Sequence, residues 1–207
     1  MKVNQRVLIV AGIVLVLFLT IALSIRLTGY FLFDAQLSNE MAERVPGSYV
    51  SWFTQIGSGV GAVTITSILA IMSYLIWRDK IGSIWYFVTC LSVGMLNQVV
   101  KLIFVRDRPS LNDLVGGVGY SFPSGHSSMA FAVYGGFIVL AWRFLSRTGR
   151  IVVSTVCTLM VLAMGSSRII LNVHYFSDVL GGFLFAAFVL SLSYAFVAPR
   201  RKKEIYN

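Results

Sequence analysis

Charge is what this chain has least of. Asp, Glu, Lys and Arg make up 12% of its 207 residues, and only eight of them are acidic. A soluble domain of this size needs a charged exterior, so an aqueous globular protein is excluded. Cysteine is nearly absent too. Cys90 and Cys157 each fall inside an apolar run, which excludes a disulfide framework and makes them small packing residues. With only two histidines beside them, ligands for a metal centre are too few, so neither metal nor cofactor is expected. The net charge of +9 would suit nucleic acid, but no basic patch is interleaved with aromatics on a polar surface. There is no internal repeat, and no loose linker beyond "GGVG" at Gly116–Gly119. Residues 1–207 therefore read as one domain.

What is present is oil. The chain is 57% hydrophobic with a mean hydropathy of +0.81. Six apolar stretches stand out: Val7–Ile25, Val60–Trp77, Ile81–Val100, Ser127–Trp142, Ile151–Gly165 and Val179–Ala198. The first follows a basic start, as a signal peptide does, but it exceeds the ~7–15 apolar residues of one and approaches the ~20 of a bilayer span. It reads as a retained span. In lipid each segment must satisfy its own backbone, which selects helices, and the runs are too continuous for barrel strands. The expected fold is all-α, a polytopic bundle of six transmembrane helices. The fourth and fifth runs are short, so their ends should extend into flanking polar residues.

Charge orients the bundle. Lys2, Arg6, Arg78, Lys80, Arg143, Arg147, Arg150, Arg200, Arg201, Lys202 and Lys203 fall on the side of the termini, against Arg26, Arg44, Lys101, Arg106, Arg108 and Arg168 on the other. That bias places both termini in the cytoplasm of a cell-membrane protein, with the tail "RRKKEIYN" on anionic lipid. Lys101, Arg106, Arg108 and Arg168 defy the rule, which suggests work for them at the outer face.

Two outer segments are less specific. In "FDAQLSNEMAERV", Phe33, Leu37 and Met41 share a helical stripe, away from Asp34, Glu40, Glu43 and Arg44. It reads equally as an amphipathic interfacial helix or as a solvated loop on the bundle. "GSGVG" at Gly57–Gly61 has neither a preceding strand nor a third glycine, so it reads as a flexible entry to the second span, not a nucleotide fingerprint. Asn97 and Gln98 lie within a turn of Lys101 and should bond a neighbouring helix.

Three polar clusters interrupt the spans on that outer side: "KLIFVRDRP" from Lys101, "PSGH" from Pro123, and "SRIILNVHYFSD" from Ser167. The ends of spans three to six can thus surround one pocket. Lys101, Arg108 and Arg168 bring positive charge with no matching carboxylates. Guanidinium forks fit phosphate bidentately, and Lys adds a compact charge. Ser124 and Gly125 precede a helix start at His126 or Ser127, where amides favour an anion and Gly125 lets backbone approach it. His174 and Asp178 stand four apart, one helical turn, so the carboxylate can hold Nδ1–H and leave Nε2 free.

Taken together, Lys101-x6-Arg108-Pro109, Pro123-Ser124-Gly125-His126 and Ser167-Arg168-x5-His174-x3-Asp178 resemble the three-part signature of the type 2 phosphatidic acid phosphatase family. That family is similar at its active site to vanadium haloperoxidases and glucose-6-phosphatase. The signature region spans 101–178. The resemblance implies a metal-independent lipid phosphate hydrolase with His174 as nucleophile, Asp178 orienting it, and His126 as general acid and then base. It implies that Lys101, Arg108, Ser124, Gly125 and Arg168 bind phosphate oxygens, where transition-state charge gathers. Arg106 and Asp107 match no fixed position and read as an outer ion pair or headgroup contacts. The substrate is expected to be phosphatidylglycerophosphate, or phosphatidic acid, at the extracytoplasmic face. Undecaprenyl pyrophosphate is the alternative substrate, and a phosphate-lipid carrier or anion-binding protein the alternative of another class. Membrane lipids are the other partners, with no nucleic acid and no obligate protein. Activity should fall on both the acid and alkaline flanks of the histidine range.

Overall fold

The computed structural model describes residues 3–31, 34, 36, 40, 48–109 and 119–206, with side chains for all of these except 48, 49 and 199–206. Among these every regular element is helical. Six apolar helices carry the fold: α1 Gln5–Thr28, α2 Gly59–Trp77, α3 Lys80–Phe104, α4 Gly125–Ala141, α5 Arg147–Ile170 and α6 Phe176–Tyr206. All but α4 are long and apolar enough to cross a bilayer. The fifth run extends into its polar flanks, as anticipated, to a helix of 24 residues. The fourth gains only Gly125 and His126, so the expected sixth crossing rests on a shorter helix. The stripe Phe33, Leu37 and Met41, with Glu43 and Arg44, lies outside the described residues, as do Lys2 and 116–118 of "GGVG".

Helix starts follow local chemistry. Asn4, Ser58, Asp79, Ser124 and Ser146 each accept from the amide three residues on, at 2.8–3.4 Å, and so satisfy a donor the helix itself cannot. The lipid-facing sides are recognisable by exposed apolar residues such as Ile13, Leu17, Ile71, Met95 and Leu159.

Two internal layers hold the bundle. Near one end, Phe18 of α1, Phe104 of α3, Phe122 before α4 and Phe185 of α6 pack together, with ring centroids 5.3–6.3 Å apart. Towards the other end, Ser193 Oγ of α6 accepts from Trp85 Nε1 (2.9 Å) and Thr89 Oγ1 (3.2 Å) of α3. Between them α4 widens into a π turn over Phe131–Gly135, where Tyr86 donates its hydroxyl to Val133 O at 3.0 Å. A π turn disturbs the helical ladder, and the phenol bonds one of its carbonyls. Cys90 and Cys157 are buried free thiols.

α1 runs antiparallel to α6. Asn4 N donates to Ala195 O at one end, and Ser177 N donates to Asp34 at the other. The α2–α3 and α4–α5 links lie at the end where α1 begins. The ends of α3 and α5 and the starts of α4 and α6 meet at the opposite end, just above the phenylalanine layer.

Candidate active site

That meeting point gathers all three polar clusters. Lys101 projects from the last turn of α3, and Arg168 from the last turn of α5. Both are buried, Arg168 to 2% exposure. Arg108 follows α3 in a segment that pairs with residues 119–121: Arg108 Nε donates to Gly119 O (2.9 Å), Lys101 Nζ to Tyr120 O, and Ser121 N to Arg106 O (2.8 Å). Nε and Nη1 of Arg168 are buried with no hydrogen-bond partner among the described residues. A buried donor without a partner is costly, and this one belongs to a cationic group in a cationic pocket. An anion would satisfy it.

"PSGH" forms the start of α4 one residue earlier than expected. Ser124 is the cap. Its Oγ accepts from Ser127 N (3.4 Å) and Ser127 Oγ (3.0 Å), which leaves its own proton to donate. Its amide is already given to Asp178 O at 2.9 Å. The anion cradle expected here therefore reduces to the Gly125 and His126 amides, which lack an intrahelical acceptor at this position. Asn97 of α3 donates to Ser128 Oγ (3.0 Å) and Pro123 O (3.4 Å). It does bond a neighbouring helix, and the helix is the one carrying His126. Gly182 of α6 closes the other side: a Cβ there would lie 2.7 Å from Ser124 O.

His174 is 2% exposed and lies in the turn between α5 and α6, not within a helix. Its pairing with Asp178 survives this correction. Nδ1 is 3.4 Å from Asp178 Oδ2, which also accepts from Tyr175 N at 3.0 Å. On the other ring edge Arg108 Nη1 is 3.3 Å from Nε2. Arginine can only donate, so this contact needs a lone pair on Nε2 and places the proton on Nδ1, towards the carboxylate. Burial first, then the charges of Arg108, Lys101 and Arg168, hold the imidazole well below its usual range. His174 is thus neutral with an available electron pair at neutral pH. His126 stands two residues after the Ser124 cap, with Cδ2 against Gly57, and lines a groove together with Asn97 and Gly125.

Arg106 corrects a sequence expectation. It does make ion pairs, but neither outer nor with headgroups. It is 7% exposed, with Nη1 2.7 Å from Asp178 Oδ1 and Nη2 2.8 Å from Asp34 Oδ2. Asp107 beside it is exposed. Asp34, Arg106 and Ser177 are the polar residues that motif reading missed. One signal was available: in a chain with eight acids, a carboxylate near a span end is an expense. "GSGVG" is also a packed entry to α2, not a loose one. A Cβ on Gly57 would lie 2.6 Å from Met164 Sδ and 3.0 Å from His126 Cδ2.

A groove of about 330 Å³ opens sideways from His126 between α2 and α3, past Asn97 and Gln98 to Val63, Leu91 and Met95. A larger hollow of about 570 Å³ lies between the same helices near Tyr74, Lys80 and Phe87, away from the histidines. Among the described residues no three His, Cys, Asp or Glu side chains gather as metal ligands. Chemically, the site offers an electron pair, a second imidazole, three cations and an apolar approach.

Comparison with known proteins gives the family and the fold. The PAP2 superfamily matches residues 82–202. Phosphatidylglycerophosphatase B of Bacillus subtilis (strain 168) is 42% identical over 92 residues, 43% of this chain and 45% of that protein, so the alignment spans under half of the relative. The crystal structure of a transmembrane PAP2 type phosphatidylglycerolphosphate phosphatase from Bacillus subtilis superposes with a TM-score of 0.81 at 25% identity, covering 91% of this chain and 96% of that one. Aquifex aeolicus LpxE shares the fold, with a TM-score of 0.62 at 22% identity over 79% of this chain and 95% of that one.

Proposed function

The chain belongs to the PAP2 superfamily, and we propose that it is a membrane lipid phosphatase that removes the terminal phosphate of phosphatidylglycerophosphate through a phosphohistidine. One observation carries this reading. His174 meets Asp178 at Nδ1 and Arg108 at Nε2, and the buried cations Lys101 and Arg168 stand in the last turns of the helices that end there. A carrier has no need of an oriented nucleophile beside a second imidazole. The substrate follows the activity of the Bacillus subtilis relatives.

In the proposed reaction the Nε2 electron pair attacks phosphorus as the bond to the glycerol oxygen breaks. His126 gives that oxygen its proton. A water then loses a proton to His126 and attacks phosphorus, the P–N bond breaks, and phosphate leaves. Lys101, Arg108, Arg168, the Gly125 amide and the Ser124 hydroxyl bind the equatorial oxygens. Three side-chain cations supply the charge that a divalent ion supplies elsewhere, so the reaction is read as metal-independent. The acyl chains lie in the groove between α2 and α3. The charge bias supports cytoplasmic termini and a pocket at the extracytoplasmic face.

The test is phosphate release by purified protein from phosphatidylglycerophosphate, phosphatidic acid and undecaprenyl pyrophosphate, with chelator present throughout. The fastest turnover should be on the first, with ³²P trapped on His174. Preference for undecaprenyl pyrophosphate would replace the substrate but keep the chemistry. Absence of label on His174 would end the phosphohistidine reading.

A further inference from the structure

Asp34, Arg106 and Ser177, behind His174 and Asp178, have no part in the reaction as proposed, yet they form a buried network of hydrogen bonds. Arg106 Nη1 donates to Asp178 Oδ1 (2.7 Å) and to Ser177 Oγ (2.8 Å), while Nη2 donates to Asp34 Oδ2 (2.8 Å). Tyr175 lies under the guanidinium, 4.2 Å from ring centroid to Cζ. Asp34 Oδ1 accepts from Ser177 N (2.9 Å), and Oδ2 accepts from Ser177 Oγ (2.6 Å). Asp34 is 2% exposed and stands 143 residues from Ser177 in the chain. A residue beyond the first helix thereby reaches the start of the last one.

Two physical consequences follow. The first is orientation. Asp178 presents Oδ2 to His174 and Oδ1 to Arg106, so the guanidinium fixes the plane of the carboxylate about its terminal torsion. That torsion is otherwise soft. The second is charge. Arg106 alone would neutralise Asp178 and so weaken its hold on an imidazole that becomes cationic. Asp34 shares the same guanidinium. Asp34, Arg106 and Asp178 together carry one net negative charge, directly behind the ring that must accept positive charge.

Building on the phosphohistidine reading above, we infer that Asp34, acting through Arg106, is a positioning residue: it fixes the carboxylate of Asp178 and keeps that carboxylate's charge available to His174. Asp34 touches neither substrate nor phosphorus. Its contribution is to the transition state, so it belongs in kcat, whereas KM is set by the pocket cations and the groove.

The experiment measures kcat, KM and thermal midpoint for the purified full chain acting on phosphatidylglycerophosphate micelles, with wild type and His174→Ala alongside. Asp34→Asn keeps the shape and removes the charge. It should lose about 10²-fold in kcat with KM within about threefold. The double variant Asp34→Asn/Arg106→Gln restores the single negative charge and keeps a donor for Asp178. It should recover about tenfold over Asp34→Asn alone, a coupling that the double-mutant cycle reads directly. A purely structural pair would make the double variant no better than the single one. Wild-type kcat in Asp34→Asn, or a double variant at or below the single, overturns the inference. Should Asp34→Asn fail to fold, Arg106→Lys decides. Lost kcat at constant KM in folded protein supports the role, and unchanged kcat overturns it. A wild type without phosphate release, or an active His174→Ala, would overturn the function and this inference together. Failure of the Asp34 variants alone leaves the function standing.

Discussion

His174 separates two charged regions built on opposite plans. In front stand Lys101, Arg108 and Arg168, three cations with no carboxylate among them, and Arg168 keeps two buried nitrogens unbonded among the described residues. Behind stand Asp178, Arg106 and Asp34, whose charges sum to one negative and whose carboxylates are held by several donors. The front keeps cationic donors that an anion would satisfy, whereas in the rear both carboxylates are already held by protein donors. Binding and orientation are thus assigned to different residues, with the imidazole as their shared boundary.

That division can be attacked from either side. His174→Ala removes the boundary itself and should abolish turnover, a loss of about 10⁶-fold, while the protein still inserts and elutes as a folded species. Asp178→Asn strikes the rear, because an amide can present the wrong group to Nδ1. It should lower kcat by about 10³–10⁴-fold with little change in KM. Arg168→Ala strikes the front. It should lower kcat by about 10²-fold and also raise KM, since the same fork holds ground state and transition state.

Arg108→Gln gives a subtler reading through pH. The folded pKa of His174 lies below its ordinary value, so Nε2 stays unprotonated as pH falls through the usual imidazole range and is lost only below it. The acid limb of kcat/KM due to His174 should therefore lie well below pH 6.5. Removing the Arg108 charge should raise that limb, seen in profiles of the two proteins. The smallest effect belongs far from both regions. Ser193→Ala removes an acceptor from Trp85 and Thr89. It should lower the thermal midpoint by about 2–4 °C and leave kcat within about twofold of wild type.

The front region was legible in the sequence, because it is written in motifs. Lys101, Arg108, His126, Arg168 and His174 stand at fixed spacings at the ends of apolar runs, with Asp178 of the rear legible by the same spacing, and topology then brings these ends to one level. The helices were legible for the same reason, since continuous apolar runs between polar caps leave lipid-spanning helices as the one economical answer. The rear was illegible because its partners are distant in sequence. Asp34 sits in a segment that reads as a surface helix or loop, and nothing local marks it as the partner of Arg106 or Ser177. The π turn in α4 was likewise hidden, since it depends on Tyr86 from α3 meeting Val133 O. His174 was placed on a helical turn by its spacing, yet the turn before α6 meets the same distance by another path.

The reach from Asp34 to Ser177 also bears on how the protein is made. A ribosome must add 143 more residues after Asp34 before its acceptor atoms meet the Ser177 amide. Until then a nascent chain can already expose the PSGH turn and its basic neighbours, yet it holds neither Asp178 nor a constrained nucleophile. The network behind His174 therefore closes only after the start of the final helix has been made.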